Sequence, residues 1–180
     1  MHKRWVQLGI VGGLVIVIGG GLSWGRLSQP AATKVPQISR KAQSSKPVAE
    51  ITQARWRQNP KLKYASLIYY AVKHLKIQRW QEVSDFERGW QVEIYANHGR
   101  PKYLVWPDQH IQAPAKQLQP NWFTLSPDGK VTYDSFGVHS FSPDLTATVS
   151  EATILKQLQA DHAAARIHAM LPHLTVVRHH

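Results

Sequence analysis

From Trp5 to Trp24 the chain runs for twenty residues without a charged side chain. A helix rising about 1.5 Å per residue covers about 30 Å over that length, the thickness of a bilayer core. Lys3 and Arg4 precede the run and Arg26 follows it, while Trp5 and Trp24 stand at its two ends, where indole rings favour the headgroup region. The pattern predicts a transmembrane anchor, 5–24, behind a short tail, 1–4. A cleaved signal peptide is the rival reading, with Ser23-Trp24-Gly25 as its cleavage site. The apolar run is longer than the roughly 7 to 15 residues of such peptides, which favours the anchor. Beyond it the pattern dissolves. Residues 25–58 mix Pro, Ser, Gln, Ala and Lys with few large apolar side chains, too little buried surface to offset the entropy of ordering, so a flexible stalk is expected there.

Periodicity returns at Asn59-Pro60, an N-cap with proline at the first helical position. Leu62, Ala65, Leu67, Ile68, Ala71, Val72 and Leu75 then recur mostly at three- and four-residue spacing, predicting an amphipathic helix to about Leu75. Trp80 and Val83 start a short turn beneath it. At Gly89 the period becomes two. Trp90, Val92 and Ile94 alternate with Gln91, Glu93 and Tyr95, and a second strand follows at Lys102–Trp106 after the turn residues Asn97-His98-Gly99-Arg100. Trp122–Leu125 and Lys130–Tyr133 flank Ser126-Pro127-Asp128-Gly129, a second hairpin. Thr148-x-x-Glu151 has capping-box form, and Ile154, Leu155, Leu158, Ile167, Met170 and Leu171 give a helical pattern that Pro172 stops. Leu174–Val177 suits a short edge strand. The expectation is an α+β domain over 59–178: a small antiparallel sheet of about four strands with two flanking helices, large enough for one core.

Charge changes the picture only in the first half. Residues 1–81 hold fourteen Lys and Arg against one acid, Glu50, whereas residues 82–180 hold eight against ten. The basic stalk is suited to an anionic surface, lipid or acidic wall polymer, or simply to staying extended. The positive residues on the two flanks of the anchor do not decide its orientation, but a four-residue tail ahead of a long domain is the layout of an anchor with its N-terminus inside and its C-terminal domain outside. No cysteine is present among the 180 residues, which removes disulfides, thiolate metal sites and a lipoprotein anchor. Gly9 and Gly13 form a G-x-x-x-G spacing that so glycine-rich a segment yields by chance.

No nucleophile elbow, P-loop or dinucleotide fingerprint occurs, and none of the ten histidines has metal-ligand spacing on a predicted helix. No metal or cofactor is expected. Asp108 with His110, and Asp134 with His139, are the candidate catalytic groups; Glu82, Glu87, Glu93 and Asp128 are further carboxylates for a hydrolase, if two of them converge. Trp106, beside Pro107 at a strand end, is the tryptophan expected to be exposed, with Trp90 and Trp122 in the core. Trp106 with the cations Lys73, Lys76 and Arg79 forms the candidate ligand-binding set.

Ile68-Tyr69-Tyr70-Ala71, Gly89-Trp90-Gln91-Val92-Glu93 and Val105-Trp106-Pro107-Asp108, set in a chain with an anchor, a basic Ser/Gln/Pro stalk and a Trp-rich domain, resemble the exported proteins of unknown function of the Lactobacillus type. The resemblance implies an extracytoplasmic site in a Gram-positive cell and carries over no catalytic residue. The expected function is a membrane-anchored binding module for an anionic wall polymer or a surface protein. The alternatives are a wall- or peptide-directed hydrolase and, were the topology inverted, a cytosolic nucleic-acid contact through residues 51–81; nucleic acid is not otherwise expected.

Overall fold

The computed structural model describes residues 48–96, 99–116, 121–136 and 145–179. The expected tail 1–4, anchor 5–24 with its Gly9/Gly13 spacing, and stalk residues 25–47 lie outside the described residues, as do Asn97, His98 and His139. Among the described residues no helix is long and apolar enough to cross a membrane.

The fold is α+β. Six strands form one mixed sheet in the order β5-β4-β3-β2-β1-β6. They are β1 (Trp90–Tyr95), β2 (Lys102–Trp106), β3 (Asn121–Leu125), β4 (Lys130–Asp134), β5 (Ala147–Ser150) and β6 (Leu174–His179). The first four are the two predicted hairpins, antiparallel in sequence order. The sheet is larger than the expected four strands and not purely antiparallel: β5 joins β4 at one edge, and β6 lies parallel to β1 at the other. Thr148 therefore sits in a strand. The cap of the following helix is Ser150, whose hydroxyl accepts from Thr153 N at 3.1 Å.

Among the described residues four α-helices cover one face of this sheet. The stalk reading ends too late: Ile51 is buried and α1 (Gln53–Gln58) places Trp56 in the core, its indole N–H donating to Ser66 Oγ at 3.0 Å. Helix α2 (Pro60–His74) starts as expected, with Asn59 Oδ1 accepting from Leu62 N. Every residue from Tyr64 to Val72 is buried, so α2 has no solvent face in its middle. Sequence periodicity shows only the stripe that meets the sheet; α1, α3 and α4 cover the rest. The predicted C-terminal helix is two pieces, α3 (Glu151–Ala160) and α4 (Ala164–Met170), joined through His162 at φ +50°. Trp80 and Val83 are buried on a 3-10 turn spanning Gln78–Val83.

Alternation along the strands sorts side chains to two faces. Trp90, Val92, Ile94, Val105, Phe123, Val131 and Tyr133 face the helices and form the core. Tyr64 of α2 meets Tyr103 and Phe123, and Tyr70 meets Tyr133.

Candidate functional site

Among the described residues the opposite face of the sheet carries no α-helix, and its residues fall into rows fixed by register. The central row runs Val177, Glu93, Leu104, Trp122, Asp134 across β6, β1, β2, β3 and β4. The next row runs His179, Tyr95, Lys102, Thr124, Thr132, Thr148. Gln91 and Trp106 stand opposite one another in a third.

Glu93 is a carboxylate only 3% exposed on this helix-free face. What buries it is the long connection after β2, which passes through a 3-10 turn at Ala113–Ala115 and brings the Lys116 ammonium onto Glu93 Oε1. Gln91 Nε2 donates to the same oxygen at 2.7 Å, Tyr95 OH donates to Oε2 at 2.8 Å, and His179 Nε2 stands 3.3 Å from Oε2. Burial alone would raise the Glu93 pKa; the hydrogen bonds from Lys116, Tyr95 and Gln91 outweigh it and hold the carboxyl down at about 2. A carboxylate so held is a fixed anion and not a general acid near neutral pH.

Trp106 is buried at 7% exposure, contrary to the expectation that it is the exposed tryptophan, because the same loop covers it and brings Lys116 to 5.8 Å from its ring. Its indole N–H has no acceptor among the described residues. Trp90 is core as expected. Trp122 is not: it lies half-buried on the helix-free face with the Lys102 ammonium 3.8 Å from its ring centroid. Desolvation lowers the Lys102 pKa, opposed in part by the negative charge of Asp134.

Among the described residues, the other predicted residues do not gather. Asp108 lies in the loop after β2, where it accepts from His110 N at 2.8 Å and pairs with Arg88 at 3.3 Å. The backbone hydrogen bond from His110 and the Arg88 charge lower its pKa. Asp134 is held by the Thr146 hydroxyl at 2.6 Å, two strands from β2 and out of step with Asp108 along the strand direction. The lateral offset alone is about 10 Å. Glu93 and Asp134 share a row but stand three strand spacings apart, about 14 Å, beyond the roughly 5 to 9.5 Å between paired glycosidase carboxyls. Among the described residues no group of three or more His, Asp or Glu is placed to hold a metal ion.

The expected binding set divides in the same way. Lys73 ends α2 in the helix layer, and Lys76 follows it just beyond. Arg79 is spent on structure, donating to Phe136 O at 2.8 Å and pairing with Glu82 at 3.4 Å. None of the three joins Trp106. Of the residues that do share the helix-free face with it, Glu93, Lys102 and Trp122 are legible in sequence only as the outward half of an alternation whose inward half is the core, and Lys116, in the loop after β2, has no strand pattern to mark it. No family model, curated protein or solved structure matches this chain.

Proposed function

We propose that the protein is a membrane-anchored, extracytoplasmic binding module, and that its helix-free sheet face is the surface that engages an anionic wall polymer. The observation that carries the reading is the segregation of the two sheet faces. One is sealed by α1 to α4, while the other presents Trp122 beneath Lys102, with Tyr95 stacked on His179 at 4.1 Å and hydroxyls of Thr124, Thr132 and Thr148 alongside. Aromatic rings offer apolar faces to a polymer backbone, cations attract its charges and hydroxyls supply adaptable hydrogen bonds. The uncharged run 5–24 and the basic stalk support the tether and the location.

Two measurements test the reading together. Protease shaving of intact cells that carry a C-terminal epitope removes the epitope while a cytosolic marker survives. The full chain, purified in neutral detergent, co-sediments with isolated cell walls and is released as salt rises, because exposed charge attraction is screened over about 8 Å at physiological ionic strength. An epitope that survives until lysis, beside a digested surface control, contradicts the location; wall preparations that leave the chain in the supernatant at low salt contradict the binding.

A further inference from the structure

At one end of the helix-free face, where the β3–β4 turn and the β1–β2 turn come side by side, the surface sinks into a depression of about 330 Å³. Arg100, Ser126, Asp128, Lys130, Thr132 and Thr148 line it. Each reaches the site for a local reason. The Ser126-Pro127-Asp128-Gly129 turn closes with Gly129 N donating to Ser126 O at 3.0 Å and Gly129 at φ +74°. Its tip is pinned to the start of α3, where Glu151 N donates to Gly129 O at 2.8 Å. Thr132 and Thr148 are cross-strand neighbours on β4 and β5, their hydroxyls 3.0 Å apart. Arg100 enters from the β1–β2 turn, exposed and with no hydrogen bond or ion pair to any described residue.

We propose that this depression binds a phosphate group carrying neighbouring hydroxyls, the chemistry of a polyol phosphate. Arg100 supplies a guanidinium whose planar fork matches phosphate oxygens. Lys130 adds a second cation, and the hydroxyls of Thr132 and Thr148 each retain a free lone pair or proton for a ligand oxygen. Asp128 explains why the ligand is not a bare anion. Its carboxyl, bonded to Ser126 Oγ and 2.7 Å from Lys130 Nζ, is held at about 2 by the hydrogen bonds from Lys130 and Ser126, so at neutral pH it only accepts. An acceptor beside two cations selects a ligand with hydroxyl donors next to its charge. A polyol phosphate satisfies both with carbon-borne hydroxyls that stay protonated beside the charge, whereas inorganic phosphate has only its own P–OH to offer Asp128 and loses one such donor as its second proton leaves near neutral pH.

This inference rests on the binding reading above and narrows its ligand. The test is calorimetric titration of the full 180-residue chain in a neutral maltoside detergent with sn-glycerol 3-phosphate and, separately, inorganic phosphate. Saturable binding of glycerol phosphate, tighter than that of inorganic phosphate, is expected. Arg100→Gln and Thr148→Val are each expected to weaken it about tenfold or more, the scale of a hydrogen bond to a charged group, without changing the thermal unfolding midpoint. Absence of saturable binding by the unmodified chain, or variants that bind as it does, overturns the proposal. A competition arm distinguishes sources. Phosphatidylglycerol vesicles that displace glycerol phosphate, where phosphatidylcholine vesicles do not, assign the site to a lipid headgroup; failure of both to displace it assigns the site to a soluble or polymeric polyol phosphate. If the unmodified chain takes up no glycerol phosphate and Arg100→Gln co-sediments with walls as it does, the depression is overturned while the binding module stands. If no wall polymer binds yet glycerol phosphate does, the reverse holds.

Discussion

Burial drives the Glu93 carboxyl toward its neutral form, and the Lys116, Tyr95 and Gln91 hydrogen bonds drive it further the other way, to about 2 from an ordinary 4.5. Because the folded pKa lies below the unfolded one, the associated stability is present in full above the unfolded value and is lost as the pH falls from about 4.5 toward 2, a shift worth on the order of 3 kcal/mol. Urea unfolding across that window is expected to show the loss, and Glu93→Gln is expected to flatten it. At Gly89 the backbone sits at φ +71° and an added Cβ would fall 2.0 Å from His173 O. Gly89→Ala is expected to cost at least about 2 kcal/mol, through left-handed strain and displacement of the chain entering β6, read as a lowered urea midpoint. Neither residue declares its role in the sequence. Glu93 is one of six candidate carboxylates until the loop that buries it is placed, and Gly89 is a glycine before a strand until its distant neighbour is known.

At the scale of elements, legibility follows how local the cause is. Strands β1 to β4 announce themselves because alternation and turn residues act within a few positions, and the start of α2 because Asn59 and Pro60 cap it directly. Strand β5 is hidden because its four residues are few and because Thr148 and Glu151 imitate a capping box. The parallel pairing of β6 with β1 depends on a crossover through α3 and α4 that no local pattern encodes. The break between those two helices falls where the apolar stripe is interrupted, between Gln159 and His162, but the alanines around it are good helix formers and argue for one continuous helix. That joint makes a prediction of its own. His162 adopts φ +50° and is exposed, so His162→Gly is expected to leave stability unchanged or raise it by up to about 1 kcal/mol, the cost of the left-handed conformation outweighing the freedom glycine adds to the unfolded chain. A lowered thermal midpoint in that variant would contradict the account of the joint.

Across the whole molecule, the two sheet faces divide the work. One face is sealed by Trp56, Trp80, Trp90 and the aromatic contacts of α2, and the other is left to Trp122, Lys102, Tyr95 and the row of threonines. The cations expected from sequence to bind, Lys73, Lys76 and Arg79, belong to the helix layer or to structural pairs, because charge along a chain does not report which side of a sheet it will occupy. Whether the helix-free face is the binding face is decided by comparing two substitutions in one wall co-sedimentation assay with the full chain. Trp122→Ala removes the platform beneath Lys102, and Lys73→Ala removes an exposed cation of the helix layer. Trp122→Ala is expected to reduce binding about tenfold or more, the scale of a lost stacking contact, while Lys73→Ala leaves it unchanged. Binding that survives Trp122→Ala and falls with Lys73→Ala would contradict the placement of binding on the helix-free face.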